Sequence, residues 1–179
     1  MKIKLFISLL IVILISQADL KSQCFPEGCF LTRAASKEYT VDHKRCGNCT
    51  YTVFFRECIQ NGNSVILIDS IVASPSNPEC CQGTAINDPI VSGYILEEAA
   101  KQAAESGVGI TRSVYTPSKC YKWVGTLGPV PIHRAVLVPC DIGISCCEFT
   151  YNSSGQLIER NSYGSNYCDY DQACFKICD

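Results

Sequence analysis

Residues 49–74, CTYTVFFRECIQNGNSVILIDSIVAS, decide the fold. Two runs rich in β-branched and aromatic residues flank Asn61-Gly62. A type I′ turn needs positive φ at both central residues, which Asn tolerates and Gly adopts without steric cost, so this dipeptide predicts a β-hairpin. Threading the strands through the turn pairs Phe55 with Ile68, Thr52 with Ile71 and Tyr51 with Val72. One face then carries Tyr51, Val53, Phe55, Ile66, Ile68 and Val72; the other carries Thr52, Phe54, Arg56, Leu67, Asp69 and Ile71. Apolar residues on both faces imply that the hairpin is covered, at least in part, on both sides.

Working downstream, PSNPECCQGTAIND is dense in turn formers. It leads to one convincing helix at about 89–106, with Asp88 as N-cap, Pro89 in the first turn and Gly107 closing the C-terminus. Leu96, Ala99, Ala100, Ala103 and Gly107 recur at helical spacing, a stripe of small residues that permits close approach to a sheet. The remaining chain is strand-rich. KCYKWV predicts a short strand, Ile132 to Val138 a longer one, and CCEFTYNSSGQLIERNSY a second hairpin with Asn152–Gly155 at its tip. The expected fold class is α+β: a disulfide-rich domain of mainly antiparallel β-hairpins with one main helix.

Upstream, MKIKLFISLLIVILISQADLKSQC places Lys2 and Lys4 before an apolar run from Leu5 to Ile15. That run is shorter than the ~20 residues needed to span a bilayer, and small polar residues follow it, the pattern of a secretory signal peptide. Residues 1–22 are therefore expected to be the signal and 23–179 a single domain, with cleavage after Ala18 or Ser22 and no membrane span left once the signal is removed. Gln23 before Cys24 does not match a lipoprotein anchor.

All 14 cysteines lie beyond the signal: Cys24, Cys29, Cys46, Cys49, Cys58, Cys80, Cys81, Cys120, Cys140, Cys146, Cys147, Cys168, Cys174 and Cys178. An even count at about 9 % of an exported chain predicts a full structural disulfide framework, although on the order of 10⁵ pairings satisfy it. Removing Lys2, Lys4, Lys21 and Asp19 with the signal moves the formal charge from −2 to −4. No basic patch remains to neutralise phosphates, so nucleic acid is not an expected partner.

The string HKRCGNC, residues 43–49, poses the sharpest chemical question. A CxxC beside positive charge can lower a thiol pKa for redox catalysis, but that chemistry places the first cysteine at a helix N-terminus. Here TYTVFF follows Cys49, which is strand composition, so Cys46 and Cys49 read as a staple. Zinc would need a second CxxC-like knuckle, and the two histidines, His43 and His133, stand apart in sequence; neither metal nor cofactor is expected. In the adjacent pairs Cys80–Cys81 and Cys146–Cys147, each cysteine is expected to bridge elsewhere, since bridging neighbours makes a strained small ring. On a strand, Cys146 and Cys147 would face opposite sides of the sheet.

No hydrolase elbow, zinc-protease helix or phosphate loop occurs, so no catalytic residue is assigned. Tyr121 and Trp123 alternate onto one strand face and are candidates for stacking on a sugar, against the commoner use of aromatics as core. Asn48 (NCT) and Asn152 (NSS) match the N-glycosylation sequon. The expected function is a secreted, non-catalytic structural protein acting at the cell surface or in an extracellular assembly. Two surfaces suit self-association: the extended segment from Phe30 to Val41 and the alanine stripe. The alternatives are a secreted module binding carbohydrate or a protein such as a protease, and an exported thiol–disulfide oxidoreductase using CGNC.

Overall fold

The computed structural model describes residues 25, 26, 28, 29, 33–44, 46–81, 88–127, 133–140, 145–164, 168 and 174–176. The expected signal segment, Cys24, Cys178, Phe30 and Ile132 lie outside them. The strands are β1 (Arg33–His43), β2 (Gly47–Gln60), β3 (Asn63–Ala73), β4 (Thr111–Thr116), β5 (Cys120–Leu127), β6 (His133–Pro139), β7 (Ser145–Asn152), β8 (Leu157–Gly164) and β9 (Phe175–Lys176). The single α-helix among the described residues, α1 (Pro89–Glu105), falls between β3 and β4, after a 3-10 turn at Glu79–Cys81. The chain is therefore mainly antiparallel β with one helix, and β3 and β4 form one parallel pair.

β2 and β3 form the expected hairpin, with φ of 53° at Asn61 and 78° at Gly62. Phe55 pairs with Ile68 as expected, but Tyr51 pairs with Ala73 and Thr52 with Val72, one residue away from the register read off the turn. A bulge opposite Phe54 and Phe55 inserts Asp69 into β3 and reverses the facing of everything beyond it. Ile71 and Ala73 consequently enter the core, and Val72 turns to the other face.

The bulge falls where the sheet divides. On the side of β3 away from β2, residues 64–67 pair with β4 and residues 71–72 pair with β6. One arm continues β4-β7-β8 and the other β6-β5-β9, while β1-β2 complete the sheet on the opposite side. A bulge bends a strand and increases its twist, which suits β3 to turn its outer edge from one arm to the other.

α1 lies across one face of this sheet. Asp88 caps it as expected, its carboxylate accepting from Ile90 N at 2.9 Å. Ile95, Leu96, Ala99, Ala100, Ala103 and Ala104 are buried against Tyr39, Val41, Tyr51, Val53, Ile66, Ile68, Val114, Phe149 and Tyr151. Small alanines let the helix approach the sheet, so larger strand side chains fill the intervening layer. Gly107 is not the cap: Ser106, in a right-handed conformation, takes that role. Gly107 is instead a point of close approach, because a Cβ there would lie 2.8 Å from Ser64 Cβ.

The opposite face carries a smaller cluster of Cys58, Val65 and Tyr115, with Phe25, Cys29 and Leu67 packed on it. Phe54, on the same face, is 42 % exposed, so the hairpin is only partly covered on this side.

Candidate functional site

Five disulfides join described residues: Cys29–Cys58, Cys46–Cys80, Cys49–Cys81, Cys120–Cys168 and Cys140–Cys174. Cys146 and Cys147 are also disulfide-bonded, and no described cysteine is free. So many bridges are the mark of a chain that matures in an oxidising environment. Most of them staple a loop or terminus to the sheet: Cys29 holds the N-terminal loop to β2, while Cys168 and Cys174 hold the C-terminal segment to β5 and to the end of β6.

The CxxC cysteines do not pair with each other. Cys46, in the β1–β2 turn, and Cys49, at the start of β2, each bridge to one member of Cys80–Cys81, forming a two-bolt clamp on the segment after β3. Cys49 and Cys81 are fully buried, whereas Cys46 and Cys80 are partly exposed. The Sγ atoms of Cys46, Cys80 and Cys81 all lie within 4.8 Å of one another. Polar bonds reinforce the clamp. Thr50 N donates to Asn77 Oδ1 at 2.8 Å, Asn77 Nδ2 donates to Thr50 O at 2.7 Å, and Ser74 N donates to Thr50 O at 2.9 Å. Cys46 N donates to His43 O at 3.0 Å, fixing the turn that presents the first sulfur.

On β7, Cys147 belongs to the helix-side core and its neighbour Cys146 lies buried on the other face, as strand alternation requires. Tyr121 and Trp123 do share a face, and that face is the core. Tyr121 is buried; Trp123 packs against the cluster, with its ring 6.1 Å from that of Tyr51 and Nε1 donating to Ser92 Oγ on α1 at 3.0 Å. Tyr121 is thus interior, while Trp123 is half-buried against α1.

The two sequon asparagines sit differently. Asn48 is exposed on β2. Asn152 closes the β7–β8 turn, its Oδ1 accepting from Ser154 N at 3.0 Å, Ser154 Oγ at 2.7 Å and Gln156 N at 2.9 Å.

Sequence reading missed a polar cluster on the sheet face away from α1. Glu148 accepts from Tyr115 OH at 2.7 Å, Tyr163 OH at 2.6 Å and Asn161 Nδ2 at 3.4 Å. Burial, followed by the hydrogen bond to Glu148, pushes Tyr115 well above the ordinary tyrosine value; the hydrogen bond to Glu148 is the main cause that raises Tyr163, to about 12. Glu148 lies on β7 and its three partners on the two flanking strands, so only the pairing of β4 and β8 with β7 brings them together.

No family model, no curated protein and no solved structure matches this chain.

The segments expected to join subunits are occupied within the chain. From Arg33 onward the extended segment is β1 and pairs with β2, and the alanine stripe is the buried face of α1. Two long strand edges nevertheless lie open among the described residues. β1 pairs only with β2, and β8 only with β7. On β1, Ala34, Ser36, Glu38, Thr40 and Asp42 are exposed; on β8, Leu157, Ile158, Glu159 and Arg160 are. No described helix is long and apolar enough to cross a membrane.

Proposed function

We propose that this protein is a secreted, non-catalytic structural subunit whose copies associate through their sheet edges in an extracellular assembly. The observation that carries this reading is the pair of edges left open among the described residues, 11 residues on β1 and eight on β8. An unpaired edge offers a row of N–H and C=O groups to another strand, and such edges are normally short, charged or covered.

The strand directions say what kind of contact fits. From β1 to β8 the pairings are antiparallel, antiparallel, parallel, antiparallel and antiparallel, so β1 and β8 run the same way. Placing β8 of one copy beside β1 of the next is therefore a parallel, head-to-tail contact that leaves both edges free again at the ends. Such contacts extend into a filament unless their rotation closes a ring. Ile158, 57 % exposed on β8, adds apolar area to this edge. The disulfide excess agrees with service outside the cell: a chain of this size normally folds on apolar burial alone, so the bridges add resistance to proteolysis and heat.

The test is the size of the oxidised, signal-free protein by light scattering and electron microscopy, beside a Ser36→Asp/Thr40→Asp variant. These two changes extend the Glu38 and Asp42 charges into an acidic row on the exposed face of β1. Concentration-dependent growth that this variant abolishes, with its circular dichroism unchanged, supports the reading. A monodisperse monomer at high concentration would overturn it in favour of a secreted binding module.

A further inference from the structure

We propose that the clamp formed by Cys46–Cys80 and Cys49–Cys81 is a thiol–disulfide exchange site, at which a small dithiol opens the outer bridge and the freed Cys46 then opens the inner one. This inference does not depend on self-assembly.

Three observations converge on it. First, a third sulfur lies beside the outer bridge: Cys81 Sγ is within 4.8 Å of both Cys46 Sγ and Cys80 Sγ, and no other described cysteines form such a group. Second, access is graded. Exchange requires a thiolate to reach a sulfur, and Cys46 and Cys80 are partly exposed while Cys49 and Cys81 are at 0 %. Third, opening the outer bridge need not scatter the sulfurs. The two Asn77–Thr50 hydrogen bonds, Ser74 N to Thr50 O and Cys81 N to Pro78 O at 2.9 Å hold the segment to β2 without any S–S bond. Lys44, exposed two residues before Cys46, supplies positive charge that favours thiolate.

The chemistry balances in two steps. The dithiol gives two electrons to Cys46–Cys80, becoming a cyclic disulfide and leaving two thiols on the protein. Cys46 then loses its proton and attacks Cys81 Sγ; the Cys49–Cys81 bond breaks, Cys46–Cys81 forms, and Cys49 leaves as a thiolate that takes up a proton. Cys80 is a poor competitor for this attack because bridging to its neighbour Cys81 would close a strained small ring. The process is a stoichiometric rearrangement of the protein's own bridges, not turnover of a substrate.

Limited dithiol treatment of the full oxidised chain near neutral pH, acid quenching, alkylation and peptide mapping over time test it. The expected result is early alkylation of Cys46 and Cys80 with Cys49–Cys81 intact, followed by a Cys46–Cys81 peptide and alkylated Cys49. Phosphine reduction in acid should stop at the first stage, since the thiolate fraction falls about tenfold per pH unit below the thiol pKa. Cys49–Cys81 opening before Cys46–Cys80, or remaining intact at neutral pH once Cys46 is free, would overturn the proposal. A Cys80→Ser variant leaves Cys46 unpaired and should yield both Cys49–Cys81 and Cys46–Cys81 peptides, whereas Cys46→Ser/Cys80→Ser should yield Cys49–Cys81 alone. If Cys80→Ser fails to fold, the time course on the unaltered chain decides.

Discussion

Replacing Gly107 by alanine probes how α1 is seated on the hairpin. The added Cβ would lie 2.8 Å from Ser64 Cβ, 2.9 Å from Ser64 Oγ and 3.2 Å from the Ala104 carbonyl oxygen. Ser64 cannot swing aside cheaply. It is fully buried, its Oγ donates to Glu57 Oε1 at 2.5 Å, and the same oxygen accepts from Val108 N at 2.6 Å. Overpacking of this kind costs about 1–3 kcal/mol, and moving the hydroxyl off a buried partner costs a further ~1–3 kcal/mol. Against this, alanine reduces the freedom of the unfolded chain by only ~0.4–1 kcal/mol. If the site relaxes by only one of these routes, subtracting that gain leaves a net loss of about 1 kcal/mol, and of at most about 2.6 kcal/mol. In a domain of this size that lowers Tm by about 2–4 °C per kcal/mol. Thermal and urea unfolding followed by circular dichroism, with the disulfides intact, measure it. A Ser64→Gly background removes both contacting side-chain atoms, so the alanine should cost less there and the two losses should not add. Gly107→Ala with unchanged or raised stability, or strict additivity with Ser64→Gly, would refute this account of the junction.

Two further outcomes are expected. Intact-mass analysis of exported protein should find a chain beginning at Asp19 or Gln23 and 14 hydrogens lighter than its reduced form, one for each cysteine; two or more alkylatable thiols in the native protein would contradict full bridging. Burial raises Tyr51 to about 12, and the hydrogen bond to Glu148 raises Tyr163 to about 12, both above the ordinary value of 10.0. A raised folded-state value favours the protonated fold, so this contribution is complete below the unfolded value and is lost as the pH climbs towards 12. Tyrosinate absorbance should rise in two stages, the second accompanied by loss of folded circular dichroism; a single step at the ordinary tyrosine value would contradict both environments.

Local chemistry was legible in the chain itself. Asn61-Gly62 specified a turn because few residues accept positive φ, and Asp88-Pro89 specified where α1 begins because capping depends on adjacent residues. Alternation on β7 likewise separated Cys146 from Cys147. What the sequence left open was everything that depends on which strands meet. The bulge at Asp69 cannot be read from residue types, because a strand and its partner must be aligned before an extra residue is visible; it alone moved Ile71 into the core and Val72 out of it. The partners of Cys46 and Cys49 were equally hidden, since their bridging cysteines lie 34 and 32 residues away. Tyr121 and Trp123 showed a common face in the sequence, but only the position of α1 made that face interior. By itself, the sequence determined turns, the N-cap of α1, the alternation of faces and a redox environment, all of which depend on neighbouring residues or on composition. Tertiary structure decided the register beyond the bulge, the cysteine clamp, the Glu148–tyrosine cluster and the two open edges, because each requires contacts between segments distant along the chain.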